Sequence, residues 1–346
     1  MSVGRFLVRL CVGVALVAYL LYEHGVELRG VLGRMLELPP AILLGAIVLN
    51  LLGQCLSAYR WGRLSALVER PVPLVRMLQL YYSGMFFNLC LPTSIGGDVV
   101  RVVGLSRQGG SKSAALASVF MDRNVGLSAL LLVGMIASVL WPSVSIEATF
   151  FHVRYVVHLW PLFALLCCGY VLANAVLFSD LFCRFVTLLV ERLRLGFVGA
   201  KVNRLHQAVQ QYRLPLRRYL WAFVLSVVYQ FSEIGLIWLL ARGLSIEVSP
   251  LVFFSLVPFQ AVACLLPITF SGVGVREGIF CAVLMGQLGE AVKGKALALS
   301  LIYFFGVVLV SSLIGGIVYV FSGIQRPTAD EASAIANRSQ EPIANS

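Results

Sequence analysis

The chain has 346 residues, of which 59% are hydrophobic and only 12% charged, and its mean hydropathy is +0.90. Soluble domains carry roughly 25% charged residues, so this composition excludes an ordinary soluble fold and predicts an all-α, polytopic helical membrane protein. The net charge of +11 then belongs with cytoplasmic loops and anionic lipid rather than with nucleic acid, for which the sequence offers no binding module.

The chain opens with Arg5 and Arg9 before an apolar run to Tyr22, a pattern like that of a signal peptide. Leu20-Leu21-Tyr22-Glu23 follows without a small-x-small cleavage site, which predicts an uncleaved first span and a cytoplasmic N-terminus. Apolar stretches of spanning length fall at 6–22, 40–58, 114–140, 156–178, 217–241 and 297–321. Two others, 74–91 and 251–267, each run into a polar break, and a further helical piece follows each at 97–108 and 273–288. This gives about eight membrane segments.

The two breaks match. The first reads Leu91-Pro92-Thr93-Ser94-Ile95-Gly96-Gly97-Asp98-Val99-Val100-Arg101. The second reads Leu266-Pro267-Ile268-Thr269-Phe270-Ser271-Gly272-Val273-Gly274-Val275-Arg276, with Glu277 next. Pro and Gly interrupt helices, and Arg, Asp and Glu are expensive in a bilayer, so a matched pair suggests a site built from two related parts.

Basic residues set the orientation. Arg60, Arg63, Arg70 and Arg76 follow the second span, and eight more Arg and Lys cluster within 179–218; both segments are expected inside. The segments 141–155 and 242–250 are poor in Lys and Arg and are expected outside. The stretch 74–108 then starts and finishes inside, and 251–290 starts and finishes outside. Each is drawn as a re-entrant broken-helix hairpin, the two entering from opposite faces as in inverted-repeat transporters. The competing reading makes 74–91 and 251–267 ordinary spans and leaves both motifs among headgroups.

The expected organisation is a first membrane half at 1–178, a basic amphipathic cytoplasmic linker at 179–216, a second half at 217–324 and a disordered cytoplasmic tail at 325–346. The cysteines lie mostly in apolar runs and the four histidines are scattered, so neither a metal site nor a cofactor is expected.

Several residues could hold an anionic headgroup. Gly96 and Gly97 can open backbone amides toward a ligand, Ser94 offers a hydroxyl, and Arg101 suits a phosphate oxygen pair. Ser271, Gly272, Gly274 and Arg276 supply the counterpart, and Arg123 in the span 114–140 is expected to face the same cavity. Asp98, Asp122, Glu233 and Glu277 would balance charge or couple movement to protons; the plainer reading of Asp98 and Arg101 is that they neutralise each other. Arg276 and Glu277 point apart on a helix, so partners across the pseudo-twofold, such as Asp98 and Arg101, are expected. Asn88, with Asn50 and Gln54, suits helix-to-helix hydrogen bonds, Pro92 and Pro267 mark the breaks, and Arg60-Trp61 reads as an interface anchor. No catalytic constellation is present, and none of the Gly-rich stretches is a nucleotide loop.

Asn88, then Leu-Pro-x-Ser-x-Gly-Gly-Asp-x-x-Arg ending at Arg101, Asp122-Arg123 in the next span, and Ser271-Gly272-x-Gly274-x-Arg276-Glu277-Gly278 together resemble the transmembrane region family of lysylphosphatidylglycerol synthases, flippase-like integral membrane proteins. Arg60-Trp61 also matches, and the resemblance covers about residues 5–322. It implies a bacterial inner-membrane protein that moves a lipid between leaflets, with membrane lipids, anionic or phosphate-bearing, as partners. The linker is too short for the aminoacyl-transferase domain of the two-domain synthases, so lysyl transfer is not expected. Two other roles stay open: an embedded enzyme acting on lipid phosphates, and a non-transporting partner of a lipid or glycan biosynthetic enzyme.

Overall fold

A computed structural model describes residues 28–66, 71–90, 96–108, 111–150, 153–192, 206, 210, 215–266 and 269–322. The expected span at 6–22, the tail at 325–346, and Pro92, Ser94 and Pro267 lie outside the described residues, as does most of the linker beyond Arg192.

The architecture is all-α and polytopic. In chain order the helices are α1 (Leu28–Glu37), α2 (Pro40–Ser65), α3 (Leu74–Cys90), α4 (Gly96–Ser106), α5 (Lys112–Leu140), α6 (Leu159–Phe178), α7 (Asp180–Arg192), α8 (Leu216–Gly243), α9 (Pro250–Leu265), α10 (Val275–Leu288), α11 (Lys293–Leu301) and α12 (Val310–Phe321). A π-helical stretch, Ile302–Leu309, joins α11 to α12. Among the described residues, five helices are long and apolar enough to cross a membrane: Pro40–Ser65, Lys112–Leu140, Leu159–Phe178, Leu216–Gly243 and the continuous Glu290–Phe321. These correspond to the expected spans after the first.

One boundary differs. Residues 156–158, expected to open a span, belong to an antiparallel strand pair, Ser145–Phe150 with Val153–His158. Four of those six residues in the second strand are Val or Tyr, side chains that favour the pleated conformation, and α6 starts only at Leu159.

The breaks fall where Pro and Gly stand, and at each the chain turns back. In the first hairpin α3 lies antiparallel to α4: Gly84 faces Gly97, and Leu80 faces Gly104. Gly97 permits this approach, because a Cβ there would collide with the Gly84 carbonyl oxygen. The outer ends of the hairpin, Met77 and Leu105, pack with Trp61 near the end of α2 and with Ala115 and Val119 near the start of α5. Arg76 Nη1 also donates to the Ser322 carbonyl at 2.9 Å, which brings the end of α12 to the same side.

The second hairpin, α9 with α10, opens at the other end of α5. Gln287 near the end of α10 donates to the Ser143 carbonyl just beyond α5, and Lys295 on α11 donates to the Ser245 carbonyl just before α9. Its turn needs left-handed backbone at Ser271 (φ 53°), Gly272 (φ 74°) and Gly274 (φ 88°), a conformation that glycine adopts without Cβ strain. The hairpins also exchange neighbours: α3 packs on α12, α9 packs on α5, and α2 packs along α8.

α7 is the long described helix of the linker. Leu181, Phe185 and Leu188 form an exposed apolar stripe on it, while Cys183 and Thr187 are buried. A helix with such a stripe suits a position flat against a membrane surface.

Candidate functional site

The first hairpin and the second approach one another near the middle of α5 and α8. Between them lies a cavity of about 260 Å³, walled by Asn88, Arg101 and Arg123 on one side and by Ser271 on the other, with Gln54 and Tyr229 closing it. Arg101 and Arg123 are thereby brought together with a residue of the second motif. Arg276, Glu277 and Glu233 are absent from the described lining.

The first charge cluster is centred on Asp122, which is 1% exposed. Its Oδ1 accepts from Arg60 Nε at 2.9 Å and lies 2.8 Å from Arg60 Nη2, while Oδ2 accepts from Arg101 Nη2 at 2.7 Å. Arg60 also donates to the Ser226 hydroxyl at 2.6 Å, which ties α2 to α8. Arg60 and Trp61 were expected to anchor an interface; both are instead buried. The reason is charge: a carboxylate inside α5 requires a counter-ion, and α2 packs close enough to supply one. The Arg101 guanidinium lies 4.1 Å from the Trp61 ring centroid and 4.7 Å from that of Tyr81, two π faces that favour a cation.

Asp98 serves two guanidiniums. It meets Arg101 at 3.5 Å and receives Arg123 through both carboxylate oxygens, Nε at 3.1 and 3.3 Å and Nη2 at 3.0 Å. The Arg123 side chain is 49% exposed, whereas that of Arg101 is 5% exposed. The cluster therefore holds three guanidiniums against two carboxylates, and its most accessible cation borders the cavity. The Arg101–Asp98 contact was anticipated; the roles of Asp122 and Arg60 in holding Arg101 were not. The Gly97 amide, anticipated as an opening toward a ligand, donates instead to Asn88 Oδ1 at 2.8 Å. Gly96 is buried beside it.

The second cluster has a different form. Glu277 is 0% exposed and caps the start of α10 from its third position: its Oε2 accepts from the Gly274 amide at 2.5 Å. Its Oε1 accepts from the Ser300 hydroxyl at 3.0 Å and from Arg276 Nε at 3.4 Å. The expected partners across the pseudo-twofold, Asp98 and Arg101, are thus not the ones it meets. Adjacent helical residues do diverge, but Arg276 Nε still reaches Glu277 Oε1, while Glu277 Oε2 satisfies the Gly274 amide. Arg276 lies against Phe304, 4.3 Å from its ring centroid, and its Nη2 is buried without a hydrogen-bond partner. Gly272 packs against Cys264.

Glu233 is 6% exposed within α8. Its Oε2 accepts from the Tyr303 hydroxyl at 3.1 Å, while Oε1 is buried without a partner. Tyr229, one turn earlier, borders the cavity and accepts from Gln54 Nε2 at 3.3 Å. Tyr303 lies in the π-helical stretch and is also 5.9 Å by centroid from the Arg276 guanidinium. Sequence reasoning passed over Tyr229, Tyr303 and Ser300 as binding groups, since isolated hydroxyls in apolar runs carry little signal; the unusual π-helical backbone around Tyr303 has no residue signature.

No curated protein matches the chain. A family does: the one described as Lysylphosphatidylglycerol synthase TM region matches residues 6–315. With its apolar helices and its two turned-back hairpins, the chain is a multi-pass membrane protein that belongs to this family, one tied to membrane-lipid metabolism or transport.

Proposed function

We propose that this protein is a non-enzymatic, flippase-like transporter of the bacterial inner membrane, moving an anionic, phosphate-bearing lipid between leaflets. The two hairpins are read as re-entrant elements of an inverted repeat that meet at the bilayer midplane. Arg123 and Arg101 hold the headgroup phosphate, with Ser271 supplying a hydroxyl from the opposite hairpin. The observation that carries this reading is the cavity between the hairpin turns, bordered by a half-exposed guanidinium from a cluster with one surplus positive charge. At about 260 Å³ it is smaller than the roughly 300 Å³ and above that drug-sized ligands occupy, so it suits a headgroup while acyl chains remain in lipid.

Glu233 is the coupling group in this reading. A buried carboxylate with an unpartnered oxygen can take up a proton or a cation, and Tyr229 links it to the cavity wall. Arg276, with its unpartnered Nη2, is the second guanidinium available when the hairpins shift.

The test is lipid capture and movement by Arg123→Gln. Wild-type protein purified with native lipids should retain an anionic phospholipid or polyprenyl phosphate by mass spectrometry, and should move a fluorescent anionic lipid in proteoliposomes. The variant should lose the movement and the lipid held at the cavity, while melting normally. An unchanged lipid profile with unchanged movement would refute the headgroup site.

A further inference from the structure

A second concavity, of about 460 Å³, lies away from the hairpin turns and shares no lining residue with the central cavity. Arg63 from the last turn of α2 and Arg217 and Arg218 from the first turn of α8 line it, with Leu64 and Trp221 as its apolar wall. All three guanidiniums are exposed. Among the described residues no carboxylate lines the pocket, and no ion pair engages any of the three. The contrast with the interior is sharp, because Arg60, Arg101, Arg123 and Arg276 each meet a carboxylate.

Three cations around one pocket repel each other until an anion enters. The surroundings say which kind of anion. Trp221 is half-exposed and meets Tyr59 edge to face at 5.9 Å, the sort of amphipathic ring pair that sits at headgroup level. From Trp221 an exposed apolar stripe continues down α8 through Val224, Val228 and Phe231. A free phosphate would use only the guanidiniums; a phospholipid would use both the guanidiniums and the stripe.

We infer that this pocket binds the headgroup of an anionic phospholipid from the leaflet on the basic side of the protein, its acyl chains lying along α8. Because the pocket joins α2 to α8, the bound lipid fastens the two helices at that end. The inference does not rest on transport, since neither the cavity nor Arg123 takes part.

The experiment is native mass spectrometry of the full-length protein in mild detergent, titrated with phosphatidylglycerol or with phosphatidylcholine. Wild type should retain phosphatidylglycerol about tenfold more tightly. The triple variant Arg63→Gln, Arg217→Gln, Arg218→Gln should lose that preference, and Arg217→Gln alone should weaken it severalfold should the triple variant fail to fold. The variant Arg184→Gln, Arg192→Gln on α7 removes exposed charge elsewhere and should retain the preference, as should Arg123→Gln for this second bound lipid. Equal loss in the α7 variant would reduce the effect to net charge and overturn the site. Displacement of phosphatidylglycerol by millimolar inorganic phosphate would make it a free-anion site and likewise overturn the assignment. Unchanged retention in both the triple and the single variant would do the same.

Discussion

Two matched motifs end in two unlike charge clusters. Around Asp122 every carboxylate oxygen is engaged, three guanidiniums share two carboxylates, and the surplus cation stands half-exposed at the cavity. Around Arg276 one guanidinium is accompanied by Glu277, which is spent on a helix cap, and by Glu233 farther off; Arg276 Nη2 and Glu233 Oε1 have no partner. A repeated sequence pattern therefore placed two helix hairpins without placing two similar sites. The first cluster is a braced cationic wall. The second is a cap with loosely held charge behind it, which suits a part that changes partners.

The sharpest way to break this contrast is Asp122→Ala. It strands Arg60 without a counter-charge and leaves Arg101 only its longer contact with Asp98 at 3.5 Å, both residues being about 5% exposed or less, and losing one member of a buried ion network costs about 3–5 kcal/mol. Thermal melting in detergent should show a large drop. Glu277→Gln in the other cluster removes charge from a helix-start cap yet keeps an acceptor, and should cost about 1 kcal/mol. Equal melts for the two variants would erase the distinction between wall and cap.

The hairpins themselves can be compared next. Gly97→Ala drives a methyl into the Gly84 carbonyl and should destabilise by about 1–3 kcal/mol. Gly278→Ala in α10 meets nothing within 4 Å and should be neutral or stabilising by up to about 1 kcal/mol. If both alanines melt alike, the close crossing of α3 and α4 is not what fixes the first turn.

These pairs also mark how far the sequence could be read. The apolar runs gave the spans because burial in a bilayer demands length and composition, and both are local. Pro and Gly marked the ends of α3 and α9, because helix breaking is likewise local. The partner of Asp122 is another matter: Arg60 lies 62 positions away on α2, and only the packing of α2 against α5 makes them neighbours. Its location beside Trp61 near the end of a span suggested an interface anchor, and the pull of a buried carboxylate overrode that. The capping role of Glu277 was locally visible, three residues after Gly274, but the paired motif drew attention to distant partners instead. The strand at 153–158 replaced an expected helix start because Val and Tyr suit both an apolar span and a pleated ribbon.

Arg123→Gln should move stability by no more than about 1 kcal/mol, the usual worth of an exposed pair, while abolishing lipid capture at the central cavity. A large melt shift would instead make Arg123 another brace of the Asp122 cluster, and the cavity would lose its cation.

The smallest structural effect is expected from Glu233→Gln. The amide oxygen can still accept from Tyr303, and the buried charge with its unpartnered oxygen is gone, so melting should stay within about 0.5 kcal/mol of wild type or rise. The groups facing position 233 are Tyr229 on α8 and Tyr303 on the π-helical stretch, with Arg276 of α10 beyond Tyr303. Glu277, the other carboxylate of the cluster, has both oxygens engaged by Gly274, Ser300 and Arg276, so Glu233 with its unpartnered oxygen is the one open to a proton. In proteoliposomes, movement of an anionic lipid by wild type should vary with pH, and the Gln variant should give a flat profile. A wild-type pH response that survives the substitution would move coupling out of the second cluster. The contrast between a braced wall and a changeable partner would then have to be drawn from Arg276 alone.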